Sequence, residues 1–177
     1  MGSGILVLLT VLVTLNILKN VCISGFAEAG LKAHNTRRLT SPHYGTLLVL
    51  DDKLCKDAQS YADLLAKRDS GLQHARGTGQ GENLSWQSSG WWTKEWGKDG
   101  VSAEEITEGW YEERVTGGSC AGHYTQVVWK KSVKFCMATA ESRSGGTYTV
   151  ARYLPPGNYN GAKNYRANVH QGFVKPC

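Results

Sequence analysis

The stretch Gly122-His123-Tyr124-Thr125-Gln126-Val127-Val128-Trp129 constrains this chain more than any other. It sets one histidine and one glutamine among aromatic and β-branched residues, so one side can be buried while polar atoms face a cleft. Gly117 and Gly118 upstream permit backbone conformations that other residues avoid. Cys120 and Cys136 bracket the stretch, and either could staple it to the rest of the fold. A histidine beside aromatics is most often a hydrogen-bonded core residue, so His123 acquires chemical meaning only from the residues that join it.

The 177 residues fit one domain with a single core, and a composition of 41% hydrophobic and 20% charged residues is that of a soluble globular protein. The formal charge of +5 permits attraction to acidic lipid or glycan surfaces. Its basic residues are scattered, with Arg37-Arg38 and Lys130-Lys131 the longest runs, and no aromatic-flanked basic motif points to nucleic acid.

Ile5 to Leu18 is an apolar run too short to span a bilayer comfortably, and the small residues Ser24, Gly25 and Ala27 follow it. The run reads as the core of a signal peptide over residues 1–24, leaving one domain over 25–177 and an extracellular protein. Met1-Gly2 lacks the Ser or Thr that myristoylation needs at position 6, which is Leu6. Removal of the leader takes Cys22 with it. Cys55, Cys120, Cys136 and Cys177 remain, enough for two disulfides in any of three connectivities. No two are spaced as CxxC, which disfavours a cysteine metal site.

Along the remaining chain, Ala27, Leu31, His34 and Arg38 fall at helical spacing before Pro42. A second helix is capped by Asp51 or Asp52, carries Leu54, Ala58, Tyr61, Leu64 and Leu65, and closes at Gly71. Gln73 to Glu82 reads as a glycine-rich loop that runs into the turn Gly81-Glu82-Asn83-Leu84. From Trp86 to Gly100, four tryptophans at 86, 91, 92 and 96 form a loop folded onto the domain or an aromatic patch for a ligand or lipid headgroups. Ser102 with Glu105 makes a capping box, opening a third helix that sets Ile106, Trp110 and Glu113 near one face. Strands are expected at Lys134–Glu141 and Thr147–Leu154, joined by a turn at Ser144-Gly145-Gly146. The tail beyond Gly161 has no clear periodicity.

His74, Glu82, Glu113 and His123 are the candidate chemical residues. The two imidazoles could ligate a divalent cation such as zinc, with the carboxylates acting directly or through water. Equally, each carboxylate could satisfy an imidazole N–H in a network without metal.

Gly-His-Tyr-Thr-Gln-Val-Val-Trp at 122–129 and Tyr-Leu-Pro-Pro-Gly-Asn-Tyr at 153–159 closely resemble the two signatures of the CAP superfamily of cysteine-rich secretory, antigen five and pathogenesis-related proteins. His34-Asn35 with Arg38, Gly81-Glu82-Asn83-Leu84, and Trp110-Tyr111 with Glu113 match in the same order, so the resemblance covers residues 28–170. The details are most similar to the Golgi-associated plant pathogenesis-related branch. The resemblance implies an α+β fold, a three-layer α-β-α sandwich with a central antiparallel sheet. It also implies a cleft tetrad of His74, Glu82, Glu113 and His123, in which His74 and His123 would be the metal ligands. The expected function is a secreted, non-enzymatic module for a sterol, a lipid, an extracellular protein or a membrane surface, with zinc or another divalent cation optional. The alternative is a metal-dependent protease or esterase using the same four residues. Asn83-Leu84-Ser85 is a glycosylation sequon beside Glu82, and a glycan there would obstruct the cleft, so Asn83 is expected to be structural and unmodified.

Overall fold

A computed structural model describes residues 24–40, 45–88, 102–116, 121–159 and 161–170. Residues 1–23 of the expected leader, with Pro42, Trp91, Trp92, Trp96, Gly117, Gly118, Cys120 and Cys177, lie outside them.

Helix α1 (Gly25–Leu39) starts at Ser24, whose hydroxyl accepts from the Ala27 amide, and it ends with Arg37 and Arg38 against its negative pole. It buries Ala27, Gly30, His34 and Arg38. Gly30 takes the place that the spacing had given to Leu31, because α1 presses on the sheet there: a Cβ on Gly30 would stand 2.8 Å from Met137 Sδ. After strand β1 (Val49–Leu50), Asp51 caps α2 (Asp52–Arg68) by accepting from the Leu54 amide at 3.0 Å. The helix closes at Asp69, two residues before Gly71, in a left-handed conformation with φ 46°. The Asp69 carboxylate is held there by the amide and hydroxyl of Ser144, at 3.1 and 3.0 Å, which explains why a non-glycine residue takes the cap.

Strand β2 (Gly81–Gln87) replaces the turn expected at Gly81-Glu82-Asn83-Leu84. Its seven residues pair antiparallel with β4 (Thr147–Leu154), which also pairs antiparallel with β3 (Lys134–Glu141). The sheet order is β1-β3-β4-β2. The sheet is mixed rather than wholly antiparallel, because β1 joins β3 in parallel through Val49 N to Val133 O and Asp51 N to Phe135 O. Two residues are too few to show a strand period in sequence.

The remaining helices are α3 (Ala103–Thr116), α4 (Gly122–Val128) and α5 (Ala162–Asn168). The Glu105 amide donates to Ser102 Oγ, as the capping box required. Helix α5 carries no side-chain cap and buries only Tyr165 and Asn168, so the tail gave no periodic signal.

Alternation along the strands gives the sheet two apolar faces. Phe135, Met137, Ala151 and Tyr153 share a core with Ile106 and Trp110 of α3 and Val127 and Val128 of α4. Leu84, Ala138, Tyr148 and Val150 pack on Ala58, Ala62 and Leu65 of α2. The result is the expected α-β-α sandwich. A disulfide between Cys55 of α2 and Cys136 of β3 ties the α2 layer to the sheet. Cys136 therefore fastens to α2, and the stapling proposed for the 122–129 stretch is reached through β3.

Candidate functional site

The central stretch is α4, seven residues long, and Arg38 holds its C-terminal end. The Arg38 guanidinium donates to the carbonyls of Thr46, Val127, Trp129 and Ser132 at 2.7–3.0 Å. Burial draws its pKa down to about 10, which leaves it cationic at neutral pH against a cluster of carbonyl dipoles.

At the other end of α4, Ala121 offers no side-chain cap. Glu113 of α3 supplies the missing acceptor: its Oε2 takes the His123 amide at 3.1 Å and its Oε1 lies 2.6 Å from His123 Nδ1. The indole of Trp110, one turn earlier on α3, lies 5.9 Å from the imidazole. His123 is thus fixed by a two-point carboxylate clamp and an aromatic wall.

Glu82 makes a second pair. Its Oε1 lies 2.5 Å from His74 Nδ1 and accepts from the Ala75 amide at 3.1 Å. Its other oxygen stands 2.8 Å from Arg152 Nη1, close enough for an ion pair but off the line of a hydrogen bond, so both atoms are buried without a hydrogen-bond partner. The Glu82 side chain is 7% exposed and that of His74 65%. The hydrogen bond that His74 donates to Glu82 raises the His74 pKa above its ordinary value, with burial opposing. Arg152 was not foreseen, although an arginine among Tyr148, Val150, Ala151 and Tyr153 of β4 is a visible break in an apolar run. Its register partner is Glu82.

Neighbouring residues on β2 join the two pairs. Glu82 and Asn83 leave the strand on opposite faces, as the pleat requires. Glu82 meets Arg152 on the α2 side. Asn83 Nδ2 donates to the His123 carbonyl at 3.1 Å and to the Tyr153 hydroxyl at 3.3 Å on the α4 side. Tyr153 in turn donates to His34 Nε2 at 2.8 Å, while His34 Nδ1 donates to Gly30 O at 2.7 Å. Burial lowers the His34 pKa to about 3, so the ring is neutral and this tautomer follows from its partners. Asn83 is 1% exposed and committed to the interior, which rules out a glycan on the folded protein.

The second signature braces α4. Gln126 Oε1 accepts from the Gly157 amide at 2.8 Å, and Asn158 receives the Thr125 hydroxyl at 2.7 Å and donates to Gly122 O at 2.9 Å. Asn158 adopts φ 58°, a left-handed conformation suited to asparagine.

Among the described residues, no three His, Cys, Asp or Glu side chains stand close enough together to hold a metal ion. In each pair a carboxylate takes imidazole Nδ1, so a cation held by these histidines would have to meet Nε2.

Residues 31–153 match the family model of the CAP, or cysteine-rich secretory protein, family. The chain is 39% identical over 120 residues to the pathogenesis-related protein PR-1 of Medicago truncatula, covering 67% of this chain and 68% of that one. It is 36% identical over 147 residues to pathogenesis-related protein 1A of Nicotiana tabacum, covering 76% and 78%. With the human Golgi-associated plant pathogenesis-related protein 1 it shares 32% identity over 156 residues, covering 81% and 92%. The crystal structure of NaASP2 with Zn2+ superposes with a TM-score of 0.57 at 22% identity, covering 78% of this chain and 84% of that one. The chain belongs to the CAP, or cysteine-rich secretory protein, family.

Proposed function

We propose that this chain is a secreted, non-enzymatic binding module of the pathogenesis-related type. In this reading the His74–Glu82 and His123–Glu113 pairs form one cleft astride the edge strand β2. His74 and His123 would hold a divalent cation such as zinc through Nε2, and a sterol, a lipid, or an extracellular protein or membrane surface would be the partner.

The observation that carries this reading is the occupation of both carboxylates. Glu113 accepts from two nitrogens of His123, and Glu82 from His74 and Ala75 while it faces Arg152. Groups so committed orient ligands and are poorly placed to activate a water. A bound cation would supply positive charge to attract an anionic group. With only two protein ligands its affinity would be modest. The Cys55–Cys136 disulfide favours an oxidising compartment, in keeping with secretion.

Calorimetric titration of the full chain with zinc, repeated on His74→Ala and His123→Ala, tests the cation site. Flotation with sterol-containing and sterol-free vesicles tests the partner. Equal zinc binding in all three proteins would remove the cation from the cleft, and zinc-dependent cleavage of a peptide or ester panel would replace the binding module with a hydrolase.

A further inference from the structure

Ser70 to Gln80, the connection from α2 to β2, runs over the surface: each residue is exposed except Ala75 and Gln80, which are half-buried. No backbone–backbone hydrogen bond ties it to any described residue. Its fastenings are single bonds to side chains. The Gly71 amide meets Tyr148 Oη at 3.3 Å, the Gln73 carbonyl accepts from the Tyr61 hydroxyl at 2.6 Å, and the Ala75 amide donates to Glu82 at 3.1 Å. After Ala75 the backbone of residues 76–79 bonds to no described residue, until the Gln80 amide meets Thr78 Oγ1 at 3.2 Å. None of the residues from 70 to 80 belongs to the buried apolar clusters. The segment can therefore open without the core.

Arg76 lies in the unbonded part. Its guanidinium has no hydrogen-bond or ion-pair partner among the described residues, so an acidic specificity pocket can take it. Gly77 and Gly79, at φ 69° and 67°, can move to the extended backbone that a protease cleft requires. The other described arginines lack this freedom. Arg37, Arg68, Arg114 and Arg166 are in helices, and Arg38 and Arg152 are buried. Arg143 sits in the short turn between β3 and β4, where Ser144 is fastened to Asp69.

The disulfide decides what a cut would leave. Cys55 precedes Arg76 and Cys136 follows it, so the bridge spans the position. The strand pairing does too, since β1 lies before the cut and β2, β3 and β4 after it.

We propose that Arg76–Gly77 is a processing site for an arginine-directed serine protease, and that the product is a two-chain protein joined by Cys55–Cys136. Water adds across the amide, leaving a carboxylate on Arg76 and an amine on Gly77, with no change of oxidation state. The cut falls between His74 and Glu82, whose contact is then held by side chains without the loop that closes it. One half of the candidate site is loosened while the domain stays folded, whether or not either histidine takes a cation.

The test is digestion of the full chain, below its melting temperature, with an arginine-specific endoprotease, read by mass spectrometry with and without reductant. The first product should be the intact mass plus one water without reductant. With reductant it should become a pair of fragments, one ending at Arg76 and one beginning at Gly77. Arg76→Gln should abolish this pair, and Arg143→Gln should leave it. Urea below the unfolding transition should barely change the cutting rate, because only the loop has to open. A first cut at another arginine, survival of the intact chain until the domain melts, or fragments that part without reductant would overturn the proposal.

Discussion

Asn83 Nδ2 donates to the backbone carbonyl of His123 at 3.1 Å, so an edge strand holds the first turn of α4 by a single side chain. The same amide nitrogen reaches the Tyr153 hydroxyl, and through it His34. The His123–Glu113 pair therefore rests on a buried polar chain that crosses the sheet.

Asn83→Leu should cost about 1–3 kcal/mol, because it leaves the His123 carbonyl and the Tyr153 hydroxyl short of a donor. Urea denaturation measures the loss. For wild type produced in a secreting host, an intact mass without added glycan at the Asn83 sequon is the companion result, and a glycosylated folded protein would contradict the burial of this residue.

His34 makes the fold sensitive to acid. Its folded pKa of about 3 lies below the ordinary histidine value of 6.5, so the unfolded chain binds the extra proton between those values. Stability from this group is complete above pH 6.5 and declines as pH falls toward 3, with a slope approaching about 1.4 kcal/mol per pH unit. The groups facing it are the Tyr153 and Thr107 hydroxyls and the Gly30 carbonyl, with Arg38 nearby further disfavouring the proton. Urea midpoints measured between pH 7 and 4 should fall. His34→Gln should be less stable at pH 7 and show a flatter profile.

The sign is opposite for His74. Its raised folded pKa gives stability that is present below pH 6.5 and lost as pH rises through the folded value. The side chain is 65% exposed, so solvent screening makes this contribution small beside that of His34. Its larger consequence is for cation binding, since the proton must leave before a metal can ligate. The midpoint of zinc binding should lie above pH 6.5, and Glu82→Gln should bring the His74 titration, followed by NMR, back toward 6.5. An unchanged midpoint in Glu82→Gln would disconnect the pair.

Much of this architecture is legible in the sequence. The bounds of β3 and β4 follow from two strand-forming runs on either side of the Ser144-Gly145-Gly146 turn, and the starts of α2 and α3 follow from Asp51 and Ser102, because these signals are local. What escaped local reading depends on partners far along the chain. Glycines and polar residues at 81–87 become a strand because β4 lies beside them, β1 exists because Val133 and Phe135 offer carbonyls, and α2 stops at Asp69 because Ser144 meets it. For the candidate site, motif resemblance names His74, Glu82, Glu113 and His123. The pairing of His74 with Glu82 and of Glu113 with His123, and the buried arginine behind Glu82, depend on side-chain packing that no spacing encodes.

Two glycine substitutions should move stability in opposite directions. At Gly157 a Cβ would stand 2.8 Å from both Gln126 side-chain heteroatoms and 2.9 Å from Trp129 Cγ, with Trp129 fully buried behind it. Gln126 cannot yield without breaking its bond from the Gly157 amide, and Trp129 is packed on all sides, so Gly157→Ala should cost about 1–3 kcal/mol by overpacking. Gly109 lies inside α3 with nothing within 4 Å of its would-be Cβ. There the added methyl meets no obstacle and the unfolded chain loses freedom, so Gly109→Ala should stabilise by about 0.5–1 kcal/mol. Thermal melts of the two variants beside wild type measure both signs. A neutral Gly157→Ala would show that the second signature does not clamp α4, and a destabilised Gly109→Ala would show that the exposed face of α3 is packed against something else.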